Sequence, residues 1–445
     1  MEISRNCAVG VFGYGITGQS VLRYLSKFGC SVVVFDTREP PTNFLKIHDV
    51  EYNWQVEKWS RTDIEVLFVS PGVRLDLPVL QRAREYGVEI VSDLDLFFSE
   101  VNRPVFGITG TNGKSTVTTM LGHVFLENGF NCKYGGNLGV PALDLIDSDA
   151  DVYILELSSF QLERTALQKF EAATILNITE DHLDHHRTMD EYIRNKHKIF
   201  SRAEISIFNR DDKNTFPAHQ RKIASFGSST SSKENDWVIL QQDGKKWVML
   251  AGRKMVELDG LGLISHHTQL NILCVIALAS NFVDPENVVR SLKSFKGLDH
   301  RYKTVATHKG IEFINDSKAT NLGALKSALE NFSSETVVLI AGGDGKGSRF
   351  EAFSEIIDGK LKSLIVMGRD GGSLAAISER LNIATFQVSS LEEAVQKGFE
   401  IASQGDTVLL SPACASLDMF KNYEERGQRF EAAVRQLVNE SGQIG

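Results

Sequence analysis

Two spacings of hydrophobic residues alternate along this chain. Short unbroken apolar runs suit strands buried on both faces, and the stretches between them, where apolar positions recur every three or four residues, suit helices with one inward face. The run Ala8–Phe12 predicts a strand, Gly13-Tyr14-Gly15-Ile16-Thr17-Gly18 a tight turn, and Val21, Leu22, Leu25 and Phe28 the inward face of a helix capped by Gly29. A second strand, Ser31–Phe35, ends at Asp36. The runs Val66–Val69, stopping at Ser70-Pro71-Gly72, and Glu89–Val91 complete a small Rossmann-like α/β unit that ends near residue 93.

The alternation resumes at Val105–Ile108, a predicted strand that enters a glycine-rich turn and then a helix with Val117, Leu121 and Val124 on one face. Val152–Leu157 and Thr174–Ile178 predict further strands of a mainly parallel sheet. Ser228–Asp236 reads as a polar surface loop, and Trp237–Leu240 and Trp247–Leu250, joined by Asp243-Gly244, as a hairpin. Helical spacing returns over Asn271–Ala279. Beyond Asp299 the strand candidates are Thr336–Ile340, Ser363–Val366, Thr385–Val388 and Thr407–Leu410, and the tail Asn439–Gly445 is expected to fray. The 445 residues suggest about three domains. The predicted fold class is α/β, with a Rossmann-like domain over 1–93, a central P-loop ATPase domain over 94–299 and a Rossmann-like domain over 300–445.

Composition narrows the function classes. The 42% hydrophobic content supplies ample core, and the net charge of −9 argues against a nucleic-acid footprint, which leaves small molecules as the expected partners. The five cysteines are scattered without metal-ligand spacing, as in a reducing compartment. Neither a signal peptide nor an apolar run of membrane-spanning length is recognisable, so a cytoplasmic location is expected.

The strongest chemical signal is the turn from Gly107 to Thr116. Its glycines let backbone N–H groups converge on an anion, Lys114 can neutralise phosphate oxygens, and Ser115 can hold Mg²⁺. The loop is a variant of the G-x-x-x-x-G-K-[ST] pattern, because five residues separate Gly107 from Gly113 and Ile108 stands at the expected glycine position. Ligands of parallel sheets sit beyond the carboxyl ends of the strands. Glu156, His182 and the phosphate loop are therefore expected at one edge. The Gly13–Gly18 turn is a weaker signal, compatible with a nicotinamide dinucleotide, with a nucleotide-linked substrate, or with tight packing alone; Asp36, 18 residues past Gly18, has the spacing of a ribose-binding acid.

Thr188 followed by Glu191 is a capping-box signature for a helix that sets Lys196 on its apolar stripe. A buried ammonium is costly, so Lys196 must snorkel outward, pair with a carboxylate or be chemically altered. The run Asp181-His182-Leu183-Asp184-His185-His186 lacks a zinc spacing, and an oxygen-rich Mg²⁺ site suits a phosphate loop better; His185 and His186 read as solvated or as groups behind the site.

Taken together, Gly110–Thr116, Gly135–Gly139, Glu156–Glu163, Asn177–Asp184, the Lys196 helix, Gly297–Arg301, Asn315–Asn321, Gly342–Gly347 and Ser411–Gly427 resemble the Mur ligase family over nearly the whole chain. The last motif and Asp36-Thr37-Arg38 resemble the member that adds D-glutamate. The resemblance implies a monomer that uses ATP and Mg²⁺ to join D-glutamate to UDP-N-acetylmuramoyl-L-alanine through an acyl phosphate, in peptidoglycan precursor synthesis. It implies that Ile16, Thr17, Asp36, Thr37, Arg38 and Gly72 face the UDP moiety, with Asn137 and His182 nearer the muramoyl end. By the same resemblance Gly110, Thr111, Asn112, Gly113, Lys114, Ser115, Thr116, Asn271, Arg301 and Asp316 bind ATP. Ser115, Glu156, His182 and a carbamylated Lys196 bear on magnesium, and Lys114, Glu156, His182 and Lys196 form the catalytic set. Thr320, Lys346, Ser416, Leu417 and Tyr423 receive D-glutamate. Two departures stand out: Thr268 replaces an asparagine of the adenine segment, and Tyr423 replaces a phenylalanine. Rival classes are a nicotinamide oxidoreductase, which would leave the ATP loop idle, a nucleotide-binding regulator without turnover, and a sister amide ligase for another amino acid.

Overall fold

The computed structural model describes residues 8–442, except 43, 45, 167, 219–221, 232, 259–260, 262–265, 333 and 348–349. Its strands form three sheets. The first holds β1 (Ala8–Phe12), β2 (Ser31–Phe35), β3 (Val50–Asn53), β4 (Ile64–Val69) and β5 (Glu89–Val91), all parallel, in the order β3-β2-β1-β4-β5. The strand order reverses between β1 and β4. That reversal opens a crevice at the carboxyl end of β1, where the Gly13–Gly18 turn lies.

The second sheet holds β6 (Val105–Thr109), β7 (Cys132–Gly136), β8 (Val152–Glu156), β9 (Phe170–Ile175), β10 (Ala203–Asn209), β11 (Ile223–Gly227), β12 (Asp236–Gln242), β13 (Lys245–Leu250) and β14 (Arg253–Glu257). Their order is β14-β13-β12-β11-β10-β9-β6-β8-β7, parallel from β7 to β12 and antiparallel for the last two. The expected hairpin is β12–β13, and its Asp243-Gly244 turn has both residues at positive φ, 53° and 77°, as a two-residue hairpin loop requires.

The third sheet holds β15 (Lys303–His308), β16 (Ile311–Asn315), β17 (Val337–Gly342), β18 (Leu361–Met367), β19 (Ala384–Gln387) and β20 (Thr407–Leu410), in the order β15-β16-β20-β17-β18-β19 with only β15 antiparallel. Val337, Leu339 and Ala341 of β17 join one apolar cluster and Val338 and Ile340 the other. Both faces are covered by helices, which is why this strand reads as an unbroken apolar run.

The chain forms two compact units. The first holds the first two sheets, and the second holds the third sheet with the short segments 179–184 and 266–268. One continuous core accounts for the joining of the first two sheets: Val9, Val11, Val21 and Leu22 pack in the same cluster as Leu94 and Phe97 of helix Asp93–Glu100 and Tyr153, Leu155 and Phe170 of the second sheet. Each such large side chain contributes about 1.5–3 kcal/mol on burial.

Three sequence-based expectations are corrected. The first helix ends at Ser26, so Phe28 lies past it, 50% exposed against Tyr24, and Gly29 turns the chain two residues beyond the cap. The fourth strand of the second sheet, expected over Thr174–Ile178, runs Phe170–Ile175; beyond it Leu176 N still reaches Thr109 O at the end of β6, and Asn177 is bonded to the phosphate turn. The C-terminal helix runs Tyr423–Gly442, through most of the expected fraying tail; 443–445 lie outside the described residues. Among the described residues no helix is long and apolar enough to cross a membrane.

Candidate active site

In the first unit, β6 delivers the chain into the turn Gly110–Gly113, and helix Lys114–Glu127 begins immediately after. Gly113 caps that helix at φ 83°, a conformation that favours glycine, and a Cβ there would lie 3.2 Å from Asn271 Oδ1. Asn271 therefore abuts the loop. Gly107 serves another purpose: a Cβ on it would meet the Phe170 ring at 2.8 Å, so this glycine permits strand packing and the phosphate turn proper starts at Gly110. Asn177 fastens the turn. Its carbonyl accepts from Thr111 N at 2.8 Å, its Oδ1 accepts from Asn112 N at 2.8 Å, and its Nδ2 donates to Asn112 O at 3.1 Å. Lys114 Nζ donates to Gly110 O and Thr111 O at 2.9 and 2.8 Å, at the mouth of the helix N-terminus where an anion is favoured.

Glu156 ends β8, in register with Ile108 of β6, and is buried. Its Oε1 accepts from Asn137 Nδ2 at 2.8 Å, while Oε2 has no partner among the described residues. A buried carboxylate oxygen without a donor is costly unless a cation meets it, and an oxygen donor of this kind suits Mg²⁺. Ser115, the expected co-ligand, lies buried in the first turn of the adjacent helix.

Helix Met189–His197 starts at Thr188, whose side chain accepts from Glu191 N, the Thr188 half of the expected capping box. It lays Tyr192 and Lys196 against the same turn. Tyr192 hydroxyl is 3.1 Å from Thr111 Oγ1, and Lys196 Nζ donates to Gly110 O at 2.7 Å and lies 4.6 Å from the Tyr192 ring centroid. Lys196 is 1% exposed, so the snorkelling alternative is excluded. His186 is likewise buried and not solvated: its ring nitrogens engage Ser159 Oγ and Asn195 Nδ2, while His185 Nε2 meets Glu163 Oε2 at 3.1 Å. These two histidines and Glu163 are grouped closely enough for a metal, but the engaged nitrogens make them a hydrogen-bonded core beneath the helix.

At the first sheet, Gly13 turns at φ 94° and a Cβ on Gly18 would stand 2.0 Å from Gly13 O, whereas Gly15 faces open space. One glycine makes the turn, one leaves room for a ligand and one allows close packing. Asp36 lies beside this turn, and its carboxylate accepts from Tyr14 N, Arg38 N, Arg38 Nε and Arg38 Nη2 at 2.8–2.9 Å. Burial pushes this carboxyl up, but the hydrogen bonds from Arg38 and Tyr14 win and hold it below the usual carboxylate range. Ile16 and Leu417, the two apolar residues among the expected ligand contacts, are 71% and 70% exposed.

The second unit carries the remaining expected residues. Asp181, absent from the expected set, gathers several of them: its Oδ1 accepts from His182 N at 3.0 Å and lies 3.6 Å from Lys346 Nζ, and its Oδ2 accepts from Asn321 Nδ2 at 3.2 Å. His182 itself belongs to this unit and sits at φ 56°, unusual for a side-chain-bearing residue. Thr320 precedes Asn321, which caps helix Leu322–Leu329. Asp316 is buried, accepts from Ser411 Oγ and Tyr302 N, and is pushed up to about 7 by burial, with Arg301 opposing. Ser416 is buried, and the Tyr423 ring lies 3.8 Å from Lys318 Nζ.

A glycine turn between strand and helix, a lysine at the helix start and a buried carboxylate with a partnerless oxygen define a nucleotide-phosphate site of the parallel α/β type. The chain belongs to the Mur ligase family: residues 7–92 match the MurD-like N-terminal domain, 108–279 the Mur ligase middle domain and 300–414 the Mur ligase glutamate ligase domain. It is 39% identical over 436 residues to the UDP-N-acetylmuramoylalanine–D-glutamate ligase of Methylococcus capsulatus, covering 96% of this chain and 94% of that one. It is 38% identical over 440 residues to the ligase of the same name from Pseudomonas aeruginosa, covering 96% and 98%. The fold is similar to that of the UDP-N-acetylmuramate–alanine ligase of Thermotoga maritima, with a TM-score of 0.63 at 21% identity over 97% of this chain and 99% of that one.

Proposed function

We propose that this protein joins D-glutamate to UDP-N-acetylmuramoyl-L-alanine with ATP as the energy source, one amide ligation in peptidoglycan precursor synthesis. Its relatives over 96% of the chain bear the name of that reaction. The observation that supports it most directly is the partnerless Glu156 Oε2 beside the phosphate turn. An oxidoreductase would have no use for it.

In this reading the N–H groups of Gly110–Thr116 and the Lys114 ammonium hold the ATP phosphates, with Asn271, Arg301 and Asp316 toward the nucleoside. Glu156, Ser115, His182 and a carbamate on Lys196 hold magnesium, which when bound disperses phosphate charge. The carboxylate of the L-alanyl end attacks the γ-phosphorus, ADP leaves, and an acyl phosphate forms. The D-glutamate amine then attacks the acyl carbon; phosphate leaves and the amine loses a proton. Ile16, Thr17, Thr37, Arg38 and Gly72 hold the UDP end, with Asp36 setting Arg38, and Asn137 and His182 serve the muramoyl end. Thr320, Lys346, Ser416, Leu417 and Tyr423 receive D-glutamate. The working division is 1–93, 94–299 and 300–445, in a cytoplasmic monomer.

Phosphate release with UDP-N-acetylmuramoyl-L-alanine, ATP and a panel of amino acids tests this. D-glutamate should stand alone as the efficient acceptor, and Lys196→Ala should lose turnover and recover part of it with a short carboxylic acid. Equal turnover with L-alanine, or release independent of any amino acid, would return the chain to a sister ligase or a nucleotide-binding regulator.

A further inference from the structure

Helix Ser159–Arg164 follows Glu156 by two residues and ends in an arginine whose side chain is 2% exposed. A guanidinium has five N–H donors. In Arg164 all five go to main-chain carbonyls. Nε donates to Phe160 O at 3.0 Å; Nη1 to Ser70 O at 2.7 Å and Val69 O at 3.4 Å; Nη2 to Pro71 O and Val73 O, both at 2.9 Å. Four of the five acceptors belong to one stretch, Val69 at the end of β4 in the first sheet and Ser70, Pro71 and Val73 in the loop that leaves it. The nearest carboxylate oxygen, Glu163 Oε2, stands 3.9 Å away.

That loop is in turn fastened to the first glycine turn. Ser70 Oγ donates to Gly13 O at 2.7 Å, Ser70 N donates to Phe12 O at 2.9 Å, and Val73 and Ser70 are what a Cβ on Gly13 would strike. The residues after Arg164 grip the same side: Thr165 Oγ1 is 3.2 Å from Ser92 Oγ, and Ala166 N donates to Asp95 Oδ1 at 2.8 Å. A continuous path of short bonds therefore runs from the strand end that carries Glu156, through helix Ser159–Arg164, to the Ser70–Val73 loop and the Gly13–Gly18 turn.

We infer that Arg164 is a positioning residue for the nucleotide-sugar substrate: by holding four carbonyls of the 69–73 stretch it fixes the height of Gly72 and of the Gly13 turn against the phosphate loop. The inference rests on the proposed function, in which Gly72 and the Gly13–Gly18 turn face the UDP end. Lysine cannot replace the guanidinium, because three donors on one nitrogen cannot span carbonyls that the planar fork reaches in pairs.

Arg164→Lys and Arg164→Met test this in the full-length enzyme, with Michaelis constants and calorimetric binding of each substrate alone. Both variants should raise KM and Kd for UDP-N-acetylmuramoyl-L-alanine about tenfold or more, leave KM for ATP within about twofold, and change kcat far less than KM, as expected when ground-state positioning is lost. A purely structural arginine would lower the active fraction without moving that ratio. If Arg164→Met does not fold, Arg164→Lys, which keeps the charge and most of the volume, carries the test. Unchanged nucleotide-sugar affinity in a folded variant, or equal rises for both substrates, overturns the inference. Absence of turnover in the unaltered enzyme would instead overturn the proposed function.

Discussion

Each compact unit buries one arginine among main-chain carbonyls, and the two solve the same problem to different ends. Arg426, in the helix Tyr423–Gly442, is 0% exposed; its Nε donates to Ser317 Oγ, and its Nη atoms donate to Ser317 O and Cys414 O at 2.8–3.2 Å. Arg164 does the same for Val69, Ser70, Pro71 and Val73. Burial lowers both guanidinium groups to about 10, so both remain charged at neutral pH. The difference lies in what they hold. Ser317 and Cys414 are themselves fully buried, whereas Pro71 and Val73 are half-buried and Gly72 is exposed. Carbonyls that lose Arg426 have no water to turn to; of the 69–73 carbonyls that lose Arg164, that of Val69 lies on a residue as deeply buried, but those of Ser70, Pro71 and Val73 lie on half-buried residues that water can reach. The first arginine therefore stabilises its unit, and the second decides where a ligand-facing loop rests.

The sharpest way to break this contrast is Arg426→Leu. It strands two buried carbonyls, those of Ser317 and Cys414, while the Ser317 hydroxyl keeps its bond to Tyr423 O, so unfolding of the second unit should become easier by roughly 2–6 kcal/mol, given the usual 1–3 kcal/mol for each unsatisfied buried group. Denaturant unfolding followed by a probe in that unit measures it. A loss no larger than that of Arg164→Leu in the first unit would show that burial of the acceptors does not set the cost.

Neither arginine could be assigned its role from sequence. Arg426 lies inside a motif that the family resemblance singled out and Arg164 one residue beyond another, because nothing in a residue's spacing tells whether its guanidinium meets carbonyls or water. Asn177 and Asp181 also lay within recognised motifs, yet their work is done by hydrogen bonds across the chain. What was legible was whatever a local constraint writes into residue type: the phosphate turn, which needs its glycines; the Asp243-Gly244 hairpin; and β17, apolar throughout because both faces are covered. Edge strands such as Lys303–His308 and Arg253–Glu257 escaped while the edge strands Glu89–Val91 and Ala384–Gln387 did not, and the interior strands Ala203–Asn209, Ile223–Gly227 and Ile311–Asn315 escaped as well. Lys303–His308 and Arg253–Glu257 each pair on one side only and mix charged with apolar residues, as exposed edges do. Phe28 misled because helical spacing continues past the point where the helix stops.

Asp93 sharpens the comparison from the side of the charge. It is buried close to Arg164, its Oδ1 has no partner among the described residues, and burial raises its carboxyl to about 6 although Arg164 opposes the rise. If Arg164 were its hydrogen-bonded partner the carboxyl would instead be held low. The folded protein keeps a proton on Asp93 that the unfolded chain releases above the ordinary carboxyl value of 3.8. This group therefore favours the folded state below that pH, and the advantage is lost as pH rises through the window up to about 6. A rise of about two units corresponds to on the order of 3 kcal/mol. Asp93→Asn should accordingly be more stable than the unaltered protein at pH 8 by up to about that amount, and no more stable near pH 4. Destabilisation at pH 8 would mean that the ionised carboxylate and Arg164 form a true pair.

The smallest effect belongs to Glu163→Gln. Glu163 is the acid nearest to Arg164, and a contact of 3.9 Å between two ionic groups is easily taken for what keeps the arginine in place. Yet all five guanidinium donors are already occupied, and the Glu163 carboxylate also faces His185 at 3.1 Å from a site 20% exposed. Its attraction for Arg164 then lacks a hydrogen bond and is screened only from the partly exposed Glu163 end, a contribution of about 1 kcal/mol. Removing the charge should lower stability by no more than that and leave the nucleotide-sugar KM within about twofold, whereas Arg164→Lys, which keeps the charge and loses the carbonyls, raises it about tenfold. Side-by-side kinetics of the two variants decide whether the loop is held by charge or by the geometry of the fork. A tenfold rise in Glu163→Gln would assign the hold to charge, and the parallel between the two buried arginines would fail at its first term.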